Sequence, residues 1–429
     1  MRIGVIIGRI GDVDGVALET EKWMKVLKKM GHEIYVLSGR FTKDGVVPSE
    51  YRDIWSGLSF FSPECEWEQN RAFFFPDDNP EPLMDHLYHT STRIACKIFK
   101  WMLDRKIDII LAENSTALPC HLSMGMGIRK AVKRTGVPVV AHDHDFYWER
   151  GDRYATPHKQ IVDILEKTFP LNLHNVRHAV INTAAQRDLK KRFNIDAMMV
   201  PNVMDFSKQY GRNSEYNRDL LTELDLDRKR DIALFQVTRI VRRKRIDVAI
   251  DMVHRLDDKR IKLVVTGSAA DDERKGYYKE LLDQIKGLKV REQIVFGGRR
   301  ILRERAVTTR GRKIYSLSDA YAKATASTYF SDYEGFGNAF VECVLSKTPI
   351  FVNNYKPVFK PDIWNKGFEV VALENNKLTD KALKRMSEII YNKKLQKEIV
   401  EHNYELGKKH FSYDVLEEKL TELFDMKCW

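Results

Sequence analysis

Short apolar runs that end in polar residues, each followed by a stretch with helical spacing, occur in two series along this 429-residue chain. The first series is "RIGVIIG", "EIYVL", "IDIILAEN", "GVPVVAHDHD" and "HAVINTAA"; the second is "DIALFQVT", "IKLVVTG", "QIVFGG", "ASTYF" and "PIFVNN". A strand that is apolar at every position is covered on both faces, and strands separated by helices pair in parallel. The first such helix is marked by Val16, Trp23, Met24, Leu27 and Met30 and stops at Gly31. Residues 206–230 are polar and strand-free, and the alternation restarts after them. The expected fold is therefore α/β, with two doubly wound domains at 1–205 and 206–410 and a C-terminal helix at 411–429 packing back across the join. Ligands of such sheets lie beyond the carboxyl ends of the strands, so two facing domains would enclose a cleft.

Composition narrows the class. With 43% hydrophobic and 31% charged residues the chain reads as globular rather than disordered. No apolar stretch approaches the 18 or so residues of a membrane helix, and "RIGVIIG" is too short for a signal peptide, so the cytoplasm is the expected compartment. The five cysteines are scattered, form no C-x-x-C pair and are odd in number, which suits reduced thiols and argues against a zinc site. A formal charge of +11 favours an anionic partner of some kind.

The suggestive residues fall just after the expected strands. Gly15, in the first turn, can let a backbone approach a phosphate or can serve the turn alone; the turn is not a G-x-G-x-x-G fingerprint, which disfavours a nicotinamide cofactor. "AHDHDFYWER" gathers His142, His144, Tyr147, Trp148 and Arg150, with Arg153 close behind. Aromatic faces beside short polar side chains suit a carbohydrate or hydroxylated acid better than a metal ion. In "TRIVRRKR", Arg239 and Lys244 precede a helix where they could grip a diphosphate. Glu334 and Glu342 stand eight residues apart around "GFGN". Eight helical residues span roughly 12 Å, so these carboxylates suit two separate polar parts of one extended ligand, with helix N–H groups between them. The basic run 299–313 lacks the interleaved aromatics of a single-strand binder and reads as a mobile loop at the rim or as plain surface.

"EGFGNAFVE" resembles the E-x7-E signature of the retaining glycosyltransferases of family 4, and "GDVDG", "LKKMGHEIYVLSG", "PVVAHDHD", "PNVMDF", "TRIVRRKR" and "VVTGS" agree with that family in order and spacing. The likeness covers nearly the whole chain. It implies the GT-B fold, two Rossmann-like domains, and transfer of a hexose from a nucleoside-diphosphate sugar. By the same resemblance Glu334 binds hexose hydroxyls and Glu342 the ribose, and Phe336, Gly337 and Asn338 address the diphosphate and hexose. Arg239 and Lys244 neutralise the leaving diphosphate, and His144 lies near the reacting carbon. The "DVDGVA" turn replaces the double glycine of many relatives. The segment from Ala112 to Tyr154 is similar to a subgroup using GDP-mannose and a glycerate-linked glucoside, which implies a small anionic acceptor such as glucosylglycerate. His142, Tyr147, Trp148, Arg150 and Arg153 are its expected binding residues. No prosthetic group and no metal ligand are expected, although a divalent ion is compatible with the chemistry. The competing readings are a lipid or other sugar acceptor with peripheral membrane contact, an epimerase of the same fold, and a nucleic-acid-binding module. The last has only the net charge and the 299–313 run in its favour.

Overall fold

The computed structural model describes residues 1–11, 14–42, 46–271 and 276–428. The chain divides into two compact units, Met1–Val203 with Asp414–Trp429 and Met204–Tyr413.

In the first unit seven strands, β1 (Arg2–Ile7), β2 (Glu33–Ser38), β3 (Arg52–Ile54), β4 (Ile109–Glu113), β5 (Val139–Asp143), β6 (Val176–Val180) and β7 (Ala197–Met199), form one sheet. The order is β3-β2-β1-β4-β5-β6-β7, and every pairing is parallel. Strands β1, β4 and β5 are buried almost throughout, as continuous apolar runs in a helix-covered sheet must be. Strand order reverses between β1 and β4, so the loops leaving these two strands diverge to opposite faces and open a crevice at their carboxyl ends.

One core of this unit packs the helices Glu81–Arg105 and Leu122–Thr135 on the sheet through Ile94, Ile98, Trp101, Met124, Ile128 and Val132. Gly127 permits this closeness. A Cβ built there would sit 2.4 Å from Ile94 Cγ2 and 3.1 Å from the Ser91 carbonyl. The last residues of the chain also belong here: Leu416, Leu420 and Leu423 are buried, and Arg177 donates to the carbonyls of Glu422 and Leu423.

The second unit repeats the scheme with β8 (Ile232–Gln236), β9 (Ile261–Val265), β10 (Ile294–Phe296), and then a small sheet of β11 (Ile301–Leu302), β12 (Ala306–Val307) and β13 (Lys313–Ser316). Strand β14 (Ala326–Tyr329) follows, then β15 (Tyr333–Glu334), β16 (Ile350–Asn353), β17 (Lys356–Pro357) and β18 (Val371–Leu373). Its main sheet has the order β10-β9-β8-β14-β16-β18, all parallel, and reverses between β8 and β14. The basic run 299–313 is not a loose loop, as the sequence suggested, but the small sheet β11-β13-β12. Arg305 lies 4.5 Å from the Tyr216 ring centroid and pairs with Asp319 at 2.6 Å, while Arg300 pairs with Glu223. Three oppositely charged or aromatic partners thus absorb part of a charge run that sequence alone leaves to solvent. Among the described residues no helix is long and apolar enough to cross a membrane.

Gly127→Ala is expected to lower the thermal stability of the first unit by about 1–3 kcal/mol, since overpacking against the Ser91 backbone outweighs the gain in helix propensity of about 1 kcal/mol. A melting temperature equal to or above that of the wild type would show that the two helices can separate without loss.

Candidate active site

At the switch point of the first unit, Glu113 ends β4 and His142 lies on β5, with His144 two residues on. All three are buried. His142 Nδ1 donates to Glu113 Oε2 at 3.0 Å, and His144 Nε2 stands 3.9 Å from the same oxygen. Trp23, from the helix Gly15–Lys29, stacks on the other face of His142 with centroids 3.9 Å apart and planes 18° apart. Asn114, held at φ +49°, ties the two loops together: its Oδ1 accepts from the His144 backbone N–H at 3.1 Å, and its Nδ2 donates to Asp145 at 3.3 Å.

Burial on its own would push the Glu113 carboxyl up. The charge and hydrogen bond of His142, together with His144, outweigh it and hold the group at about 2. His144 is held below its ordinary value by burial first and by neighbouring His142 second, with Glu113 opposing. The cluster therefore contains an ionised carboxylate beside a largely neutral His144. Four of its buried polar atoms, Trp23 Nε1, Glu113 Oε1, His142 Nε2 and His144 Nε2, have no hydrogen-bond partner among the described residues. Leaving such groups unsatisfied costs about 1–3 kcal/mol each, and folds keep them where a ligand's polar atoms can be taken up. Glu113, His142 and His144 also offer ligand atoms within 4.8 Å of one another and could hold a divalent ion.

The other residues expected on the acceptor side have separate surroundings. Trp148 stacks on Phe146 at 4.5 Å and donates from Nε1 to Asp188 at 3.2 Å, and Tyr147 packs in a neighbouring apolar cluster. Arg150 pairs with Asp145, and Arg153 lies over the rings of Phe74 and Tyr154. Gly15 opens its helix behind the N-cap Asp14, whose Oδ1 accepts from Val16 and Ala17. A Cβ at Gly15 would meet nothing within 4 Å, so the described residues do not require glycine there. Residues 12 and 13 of that turn lie outside the described residues.

The switch point of the second unit carries the second cluster. Lys244, ending a short turn after β8, has its Nζ on Glu334 Oε1 and 5.0 Å from the Tyr329 ring centroid. Arg243 pairs with Glu334 Oε2 at 2.9 Å and donates to the Tyr333 carbonyl at 2.8 Å. Burial would raise the Glu334 carboxyl, but Lys244 and Arg243 together hold it below the usual carboxylate range. Arg239 is exposed and is not the group that grips Glu334. Arg243 is exposed as well, and sequence spacing could not separate the two, because the turn between β8 and the helix Ile246–Leu256 decides which arginine reaches Glu334.

Behind Glu334 the chain makes its tight approach. Gly337 sits at φ +113°, and a Cβ there would lie 2.2 Å from the Tyr355 hydroxyl, so glycine is required on two counts. It caps the helix Asn338–Leu345, which begins at Asn338 and carries Glu342 on its second turn. Phe336 is buried against Phe411, and its carbonyl accepts from Tyr355 at 3.2 Å. Tyr321 donates to Glu342 Oε2 at 3.3 Å, and Tyr210 lies close by. Burial, reinforced by Glu342, drives both phenols well above their ordinary value, so they stay neutral donors. Neither tyrosine carried a signal in the sequence.

Against known proteins, residues 223–406 match the family model described as glycosyl transferases group 1. The mannosylglucosylglycerate synthase of Thermotoga maritima is 35% identical over 450 aligned residues, covering 98% of this chain and 99% of that protein. This chain is a group 1 glycosyltransferase. The protein of the same name from Petrotoga mobilis is 32% identical over 90% of each chain. Among solved structures, a glycosyltransferase from Rickettsia africae superposes with a TM-score of 0.69 at 14% identity, covering 99% of each chain, which fits the GT-B arrangement of two Rossmann-like units. The chain is a hexosyltransferase of that fold.

Because both Glu113 and His144 titrate below their unfolded values, both favour the folded first unit at higher pH. The His144 contribution is complete above about 6.5 and lost as pH falls below it; that of Glu113 is complete above about 4.5 and lost as pH falls towards 2. Melting temperature is expected to begin falling below about pH 6.5, and His144→Asn should flatten the segment between pH 6.5 and 5 while leaving the decline below pH 4.5. An unchanged profile in that variant would place the titration elsewhere.

Proposed function

We propose that the enzyme transfers mannose from GDP-mannose to glucosylglycerate with retention of anomeric configuration. The observation that carries this reading is the full-length identity to two mannosylglucosylglycerate synthases, 35% and 32%. The site chemistry agrees with it. In this reading Lys244 and Arg239 neutralise the diphosphate as it leaves, with Arg243 as a third cation. Glu334 receives hexose hydroxyls, Glu342 the ribose, and the backbone N–H groups around Phe336, Gly337 and Asn338 meet the diphosphate and hexose. Gly15 stands with the donor residues. His144 acts near the reacting carbon as a neutral imidazole, which can accept or donate a hydrogen bond without adding charge.

A retaining transfer needs the departing diphosphate stabilised more than it needs a protein nucleophile, and fixed cations in a buried setting supply that without reorganising. Lys244 and Arg243 are bound to Glu334. A donor that brings its own negative charge takes over part of this pairing and leaves Glu334 oxygens for hydroxyl groups. The acceptor is assigned to the first unit, where His142, Tyr147, Trp148, Arg150 and Arg153 are its proposed contacts. No metal is assigned a role, because lysine and arginine already provide the charge.

The reading is tested by incubating the enzyme with GDP-mannose, UDP-glucose or ADP-glucose and glucosylglycerate, with and without EDTA, and following the product by NMR. GDP-mannose alone should give product, with an α linkage that EDTA does not abolish. Turnover of the nucleotide sugar without any acceptor product would sink the transferase assignment in favour of epimerisation, and loss of activity with EDTA would assign a cation to the Glu113 trio. Glu342→Ala is expected to weaken GDP binding by about 1–3 kcal/mol, measured calorimetrically. An unchanged dissociation constant would remove the ribose role.

A further inference from the structure

A cavity of about 520 Å³ lies at the carboxyl end of β2 in the first unit, away from the Glu113 cluster in sequence and unused by the reading above. Its wall is the segment from Trp55 to Glu64, and its other contributors are Gly39, Arg40 and Arg93. The segment is fixed against the sheet by two close approaches. A Cβ at Gly8, just past β1, would enter the Phe60 ring at 2.4 Å, and one at Gly39 would lie 2.2 Å from the Ser59 backbone nitrogen. The Trp55 backbone N–H donates to the Ser38 carbonyl at 2.9 Å. The wall is thus pinned to the strand ends rather than draped over them. The volume falls within the ordinary range of small-ligand sites.

The chemistry of the lining is uneven in an informative way. Some arginines of this unit pair with carboxylates, as Arg9 with Asp14, Arg71 with Asp77, Arg105 with Asp53 and Arg150 with Asp145, and others are held by carbonyls or rings, as Arg129, Arg177 and Arg153. Arg40 and Arg93, the two that line the cavity, pair with no carboxylate among the described residues. The indole of Trp55, the hydroxyl of Ser56 and the ring of Phe61, 62% exposed with the Arg9 guanidinium 5.2 Å from its centroid, line the cavity with them. Glu64 also lines the cavity, so its ionic side chains sum to a single positive charge. Two guanidinium forks, aromatic faces and a hydroxyl describe a receptor for a sugar that carries an anion. Guanidinium forks receive a carboxylate or a phosphate alike, and the transferase reading supplies a carboxylate.

We propose that this cavity is the acceptor subsite, with Arg40 and Arg93 binding the carboxylate of a glycosylated hydroxy acid, Trp55 and Phe61 flanking its sugar, and Glu64 accepting from sugar hydroxyls. The proposal rests on the transferase reading and deepens it by placing the acceptor's anionic end. It shifts that role from Arg150 and Arg153, whose guanidinium groups are engaged by Asp145 and by aromatic rings.

The test uses the full-length enzyme, GDP-mannose as donor, and two acceptors that differ only in the anion: glucosylglycerate and glucosylglycerol. Wild type should prefer the carboxylate. Arg40→Ala with Arg93→Ala should raise the KM for glucosylglycerate at least tenfold and bring it to that of glucosylglycerol, with the donor KM and the melting temperature unchanged. Arg93→Lys should recover part of the preference, which a merely structural residue would not. Retained preference in the double alanine variant, or a loss that falls instead on Arg150→Ala with Arg153→Ala, overturns the proposal. Should wild type transfer to neither acceptor, the transferase reading fails first. Calorimetric titration with glucosylglycerate then judges the cavity alone: binding that the Arg40 and Arg93 changes abolish upholds it, and no binding to wild type ends it.

Discussion

A parallel strand covered by helices on both faces can bury a polar side chain along its length only with a partner at hand, as His178 has Asp143 and Thr328 has Gln236, so most polar side chains gather at its ends. That constraint organises everything described for this chain. Strands β4 and β5 are buried along their whole length, and the first polar positions they reach are Glu113, His142 and Asp143. Strand β8 likewise runs apolar until Gln236, which accepts from Thr328 of the neighbouring β14 at 3.0 Å, and the chain leaving β14 carries Glu334. Where strand order reverses, the helices leave to opposite faces, so these polar ends are the ones not roofed by their own connections. Chemistry accumulates there because the fold excludes it elsewhere.

Both clusters solve the same electrostatic problem in different ways. A buried carboxylate is expensive unless it is paired and hydrogen-bonded. In the first unit Glu113 is held by imidazoles, groups whose charge can change near neutral pH, and the result is a soft cluster with unsatisfied nitrogens. In the second, Glu334 is held by Lys244 and Arg243; burial pushes the Lys244 ammonium below its ordinary value and Glu334 opposes that, and the result is a concentration of positive charge around one carboxylate. The second arrangement suits an incoming diphosphate. The first suits a group that must meet a developing centre without repelling it.

Much of the fold was legible in the sequence, because uniform apolar runs and helical spacing are the direct imprint of two-sided burial. The two series of strands, the polar interval before β8 and the glycine at 337 all follow from local rules. Side-chain pairing across the sheet was not legible. Nothing in "TRIVRRKR" distinguishes Arg239 from Arg243, since the choice is made by a short turn and by where Tyr333 presents its carbonyl. The 299–313 run read as loop or surface because its strands are two to four residues long and its aromatic partner Tyr216 lies far away in sequence. Trp23 on His142 was hidden for the same reason: a helix marker in one segment is the stacking partner of a residue some 120 positions later. Arg40 and Arg93, unremarkable and far apart in sequence, stand out only because the fold brings both to the wall of one cavity.

The first unit is assembled from two pieces of chain separated by the whole of the second. Lys29 pairs with Glu417, and Arg177 holds the final carbonyls, so these contacts must wait until the last residues have been made. The second unit is continuous from Met204 to Tyr413, whereas the first cannot close its buried face of Leu416, Leu420 and Phe424 until the chain has returned from the second. Closing the first unit therefore requires contacts that span most of the chain, which is the slowest kind of contact for a folding chain to find.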